Sequence, residues 1–191
     1  MPIASFIQFA INASSVITVI ADAFVLMLLI ILLTPLQDRG WGKTVARFFG
    51  RRAIHYAFAV GLVSVAGSLF FSNIAGFEPC ELCWIQRGLL YTLTVVLAAG
   101  FILRRTERRR AIEKFMRMAG LVLSGIGVPV AVYNVWLQLG GGALIPCSAT
   151  GPSCSYVYFI RFGYVTIPTM SLTAFLLIIA FMLLGEGYAE V

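Results

Sequence analysis

A chain of 191 residues that is 60% apolar and only 12% charged is not an ordinary soluble domain, in which roughly a quarter of the residues are charged. The same figures exclude a disordered chain, which would be poor in apolar residues. The net charge of +6 would suggest nucleic acid in a soluble protein, so its meaning depends on where the charges sit.

A bilayer core about 30 Å thick takes roughly 20 apolar residues of helix to cross, and five windows meet that requirement. The first, 14–34, is interrupted by Asp22; an acid at the centre of a span costs roughly 2.5–3.5 kcal/mol on insertion scales. The residues before it lack a basic stretch and a small-residue cleavage site, so a retained span is expected rather than a cleaved leader. Arg39, Lys43, Arg47, Arg51 and Arg52 follow. The second window, 53–71, carries the small-residue spacings Ala57-x-x-x-Gly61 and Ser64-x-x-x-Ser68, which suit close helix packing. Segment 72–79 leads to Cys80, Cys83 and the third window, 84–103, whose one charge is Arg87. Arg104, Arg105, Arg108, Arg109, Arg110, Lys114 and Arg117 separate it from the fourth window, 118–139. There Gly120-x-x-x-Ser124 repeats the packing spacing, and Pro129 is expected to kink the helix. Segment 140–164 holds Cys147 and Cys154, and the last window is 165–184. The windows are continuous rather than alternating, so an all-α integral membrane protein is expected and a barrel is not.

Twelve of the fourteen basic residues fall in the two stretches after the first and third windows. The positive-inside rule puts both in the cytoplasm, with the N-terminus, 72–79 and 140–164 on the opposite side. Because the basic runs abut spans, they read as topology signals and not as a nucleic-acid patch; attraction to anionic lipid is a compatible role.

All four cysteines then lie on the side where disulfides persist. Three readings are open: two static disulfides, a four-cysteine zinc site, or a pair of exchanging redox disulfides. The six-residue spacer between Cys147 and Cys154 matches zinc ribbons poorly. A Cys-x-x-Cys at a helix start depresses a thiol pKa, because the helix N-terminus favours the thiolate. A loop that short gives little entropic stabilisation, which weakens the static reading for Cys80 and Cys83 but not for the second pair. Arg87 lies four residues after Cys83 and seven after Cys80, so the three share one helical face. A cation inside a span either snorkels to the headgroups or has work there; on this face it would hold Cys83 as a thiolate and polarise a carbonyl of a membrane-dissolved oxidant. Asp22 is read as a structural or interface residue more readily than a proton site. His55 belongs at the interface, Trp84 in the aromatic belt, and Gln86, Asn134 and Gln138 either meet a ligand or bond across helices.

The run Phe77-Glu78-Pro79-Cys80-Glu81-Leu82-Cys83-Trp84-Ile85-Gln86-Arg87 resembles the signature of the DsbB family of disulfide-bond formation proteins. Pro146 to Cys154 with Gly163-Tyr164-Val165-Thr166-Ile167-Pro168 resembles the compact second loop of its BdbC-like branch. The resemblance covers about 53–184. It implies a four-helix transmembrane bundle over 53–191, preceded in 1–52 by an extra transmembrane helix and its basic loop. It also implies a quinone-dependent protein-disulfide oxidoreductase of the bacterial cytoplasmic membrane, which reoxidises a DsbA-like, thioredoxin-fold donor and passes the electrons to ubiquinone or menaquinone. By that resemblance Cys147 is attacked by the reduced partner, Cys154 exchanges with Cys80, and Cys83 faces the quinone beside Arg87. The alternatives are a vitamin K epoxide reductase-like protein, disfavoured because the Cys-x-x-Cys comes first along the chain, and a membrane scaffold with two structural disulfides.

Overall fold

In the computed structural model, which describes residues 2–34, 40–103, 109–143, 147 and 152–186, the five apolar windows become five long helices. These are α1 (Pro2–Leu33), α3 (Ala53–Leu69), α4 (Glu81–Leu103), α5 (Arg109–Gln138) and α6 (Ile167–Glu186); a shorter helix, α2 (Gly40–Arg51), lies between the first two. The five long ones are apolar and long enough to cross a membrane. No strand occurs among the described residues, so the chain is an all-α membrane protein. Two helices run well past their expected windows: α1 starts at Pro2, because 2–13 is itself largely apolar, and α5 at Arg109, because backbone hydrogen bonding continues through polar residues once a helix is nucleated. The helix of α5 passes unbroken through Pro129.

The arrangement centres on α6, which packs against α1, α2, α3 and α5. This helix is apolar all round, as a helix enclosed by others must be, and Phe175, Ile178, Ala180 and Met182 are fully buried. Close approach is allowed by small residues. A Cβ on Gly120 would lie 2.8 Å from Met182, and one on Gly61 would lie 2.6 Å from Thr94 Oγ1 on α4. Ala57 and Ser124 are also buried, as their spacing predicts. Ser64 and Ser68, in contrast, face the cavity described below.

The stretch expected as a basic loop contains a helix, and the reason is a pattern too short for a span. In α2 the small residues Gly42, Ala46 and Gly50 recur every four positions and are buried, which seats this helix on α6. Trp41 and Phe48 are exposed, as are Lys43, Arg47 and Arg51. At this end Phe49 meets Phe24 of α1 at 5.1 Å and Phe181 of α6 at 5.9 Å between ring centroids, so one aromatic cluster ties three helices. His55 lies here too, its ring 4.8 Å from Phe101.

Asp22 is paired inside the bundle. Thr173 Oγ1 of α6 donates to its Oδ1 at 2.5 Å and the Tyr164 hydroxyl to its Oδ2 at 2.8 Å. The bond to Asp22 lifts the Tyr164 phenol above its ordinary range, so it stays a donor. An acid that would oppose insertion alone thus becomes the polar link between α1 and α6.

Gly61→Val should lower the thermal midpoint in detergent, since overpacking of this kind costs about 1–3 kcal/mol. Gly125→Ala, which meets no atom within 4 Å, should leave the midpoint unchanged or slightly raised. Equal midpoints for the two variants would contradict the close approach of α3 and α4.

Candidate functional site

At the end of the bundle opposite α2, the α3 helix widens into a π-helical turn, Phe70–Ile74, and the chain reverses at Gly76, whose φ of 72° suits glycine. Phe77 then stacks back on Phe71, with centroids 6.0 Å apart. Pro79 follows, and α4 opens with Trp84 N–H donating to the Cys80 carbonyl at 3.0 Å. Cys80 therefore stands immediately before the helix, where the backbone N–H groups of Leu82 and Cys83 help to lower the pKa of its thiol.

One turn on, the Cys83 sulfur lies 2.8 Å from that of Cys80, both as free thiols. Asn134 of α5 reaches between them, its Nδ2 3.5 Å from Cys83 Sγ and 3.9 Å from Cys80 Sγ. These donors, above all the Cys83 thiol, hold the Cys80 thiol down to about 6, against the opposing effect of burial. The Cys80 thiolate predominates above that pH.

The second pair is a disulfide, Cys147–Cys154. Cys154 is 2% exposed and packs in one cluster with Cys80 and Leu137, with Cys83 and Cys147 against it; Cys147 is half-buried. Residues 144–146 and 148–151 of this loop, within the expected motif, lie outside the described residues. The rest of the loop is held by the Tyr158 hydroxyl, which donates to the Glu78 carbonyl at 2.8 Å, by stacking of Tyr158 on Phe77 at 4.5 Å, and by Gln138 Nε2 donating to the Tyr156 carbonyl at 3.1 Å. Partial burial raises the Tyr158 phenol.

Cys80, Cys83, Gln86 and Arg87 line a cavity of about 430 Å³, within the range typical of small-molecule sites. Its other walls come from α3 through Ser64 and Ser68, from the start of α6, and from α1. Arg87 stands over the Trp84 ring at 5.4 Å and donates to the Ser68 carbonyl at 3.1 Å. Among the described residues the hydrogen bonds to the sulfurs come from Asn134 and from the thiols themselves, and Arg87, expected beside the Cys83 sulfur, donates to the Ser68 carbonyl. Gln86 is 3% exposed and its Nε2 has no acceptor among the described residues. Asn134 was one of three polar residues whose role the sequence left open. The signal that could have singled it out is its place on the small-residue face of α5 with Gly120, Ser124, Gly127 and Ala131, all buried.

A family model described as Disulfide bond formation protein DsbB matches residues 50–185. Disulfide bond formation protein C of Bacillus subtilis is 36% identical over 136 residues, covering 70% of this chain and 92% of that protein. A probable disulfide formation protein of Oceanobacillus iheyensis is 36% identical over 131 residues (64% of this chain, 80% of the relative), and one of Coxiella burnetii is 31% identical over 153 (76% and 99%). No solved structure matches the chain.

In the reduced protein, the ultraviolet absorbance of the thiolate should titrate with a midpoint near 6 and disappear as the pH falls through it. Asn134→Ala and Cys83→Ala each remove a donor and should move the midpoint up towards the ordinary thiol range, Cys83→Ala further. A midpoint unmoved in both would show that these groups do not stabilise the sulfur.

Proposed function

The chain belongs to the DsbB family and is a multi-pass membrane protein of disulfide-bond formation, and from that premise we propose that it reoxidises a DsbA-like, thioredoxin-fold donor and passes the electrons to a membrane quinone, ubiquinone or menaquinone. The observation that carries this reading is that Cys154 and Cys80 are buried in one cluster with Leu137, with Cys80 and Cys83 opening onto a cavity that also holds Arg87. A scaffold with two static disulfides has no use for a low-pKa thiol beside such a cavity. The membrane is the bacterial cytoplasmic membrane, with the basic end of the bundle inside and the cysteine end outside.

A quinone fits the donors present. Its two carbonyls are acceptors, and the cavity offers an arginine, with five N–H donors, and the Gln86 amide, whose Nε2 lacks an acceptor among the described residues. A bound quinone supplies an acceptor for two electrons and two protons. The role of the protein is to orient it by Arg87, to keep water out with apolar walls, and to present Cys83.

The thiol steps balance as exchanges. A donor thiolate attacks Cys147, the more open of its pair, breaking the Cys147–Cys154 bond and freeing Cys154 as a thiolate. Cys154 attacks Cys80 of a Cys80–Cys83 disulfide, which frees Cys83. The second donor thiolate resolves the mixed disulfide, so the donor leaves oxidised and Cys147 is freed. Cys147 then attacks Cys154, restoring that bond and expelling Cys80. Expulsion is helped by the lowered pKa of Cys80, because a thiol of low pKa leaves faster. Cys80 and Cys83, now a dithiol as in the arrangement described above, give up two electrons and two protons as their bond re-forms.

Steady-state turnover of reduced donor with quinone tests the scheme. Cys83→Ala should abolish it, Cys147→Ser should fail to form a mixed disulfide, and Cys154→Ser, whose Cys147 is a free thiol, should form one through Cys147 only with oxidised donor, by attack of Cys147 on the donor disulfide. Arg87→Ala should raise the quinone KM about ten- to a hundredfold, the loss of one hydrogen bond to a charged group (about 1.5–3 kcal/mol). Undiminished turnover in Cys83→Ala, or a donor trapped on Cys80, would overturn the assignment.

A further inference from the structure

The helix that lies outside the family match, which begins at residue 50, is also a wall of the reactive cavity. Ser14, Ile17, Thr18 and Ala21 of α1 line the same space as Cys80, Cys83 and Arg87. These positions share one stripe of the helix, since 14, 17, 18 and 21 follow the spacing of a single face.

The placement of that face is held at several points. Towards the basic end, Val25, Leu28 and Ile31 are buried in the core shared with α6. Beside the cavity, Asp22 accepts from Thr173, itself a cavity residue, and from Tyr164. Towards the other end, Arg161 donates to Gln8 Oε1 at 3.0 Å, and Phe6 meets Phe70 at 5.8 Å between centroids. Thus α1 is fixed against α6 and touches the end of α3, while the cavity occupies the space between these helices. The hydroxyls on this stripe are turned to their own helix: Ser14 donates to the Ile11 carbonyl at 3.0 Å and Thr18 to the Ser14 carbonyl at 2.8 Å. With those protons used, the stripe presents side chains chiefly as bulk.

We propose that α1 is the selectivity wall of the oxidant site: Ile17 and Ala21 set the width of the cavity beside the reactive cysteines, and so determine which tailed quinones are bound. This rests on the reading of the cavity as a quinone site. A ring held by Arg87 occupies the donor-bearing side, and the apolar tail must then pass the α1 stripe. Filling the stripe removes room for the tail before it disturbs the ring.

The test is equilibrium binding to the full-length, oxidised protein in detergent, followed by quenching of tryptophan fluorescence. The two probes are a quinone with a decyl tail and the same ring without a tail. Ile17→Trp and Ala21→Phe should each raise the ratio of the two dissociation constants, tailed over tail-less, about tenfold or more. Ile17 is 60% exposed, so the larger side chain does not have to displace core; Ala21→Phe provides the independent second reading. Val16→Trp, 45% exposed and on the opposite side of α1 by helical spacing, should leave the ratio unchanged. A wild-type protein that binds both quinones, with Ile17→Trp and Ala21→Phe binding them in the wild-type ratio, would overturn the wall and leave the quinone site standing. Failure of the wild-type protein to bind either quinone would overturn both.

Discussion

In hydrocarbon no water is present to satisfy a polar group, so a charged or polar side chain inside the bundle is stabilised by a partner in protein. That constraint arranges this molecule. Asp22 finds Thr173 and Tyr164, and in doing so fastens α1 to α6. Arg87 finds the Ser68 carbonyl and the face of Trp84, which keeps its guanidinium at the cavity. Asn134, fully buried, finds two sulfurs. Each polar residue that hydrocarbon would exclude is thereby placed where two helices meet.

The reactive thiols extend the same logic. A helix start leaves N–H groups without partners, and here a sulfur stands before them. The Cys83 thiol first, and then those backbone N–H groups, stabilise the thiolate of Cys80. Asn134 adds a donor from a second helix, so the property depends on α4 and α5 being in register. The disulfide loop completes the arrangement from above, because the stacking of Tyr158 on Phe77 and the bond from Tyr158 to the Glu78 carbonyl tie it to the segment that carries Cys80.

The small residues divide between two uses that share one spacing. Ala57 and Gly61 bring α3 against its neighbours, whereas Ser64 and Ser68, one and two turns further on, border open space. A spacing of four states that a face is narrow. It does not state whether a helix or a ligand lies against that face.

Composition and periodicity carried the membrane class, the five spans, the segregation of basic residues from cysteines and the proximity of Cys80, Cys83 and Arg87 on one helical face, because each depends on residues close in sequence or on their bulk hydropathy. The helix α2 was legible in principle, in Gly42, Ala46 and Gly50, but its pattern is shorter than a span and was hidden among basic residues. The partner of Arg87, the role of Asn134, the pairing of Asp22 and the use of α1 as a cavity wall were not available in that way. Each joins residues between 19 and 151 positions apart, and a one-dimensional pattern fixes which face of a helix is special without fixing which helix will face it. The packing of α4 against α3 and α5, and of α1 against α6, makes that choice.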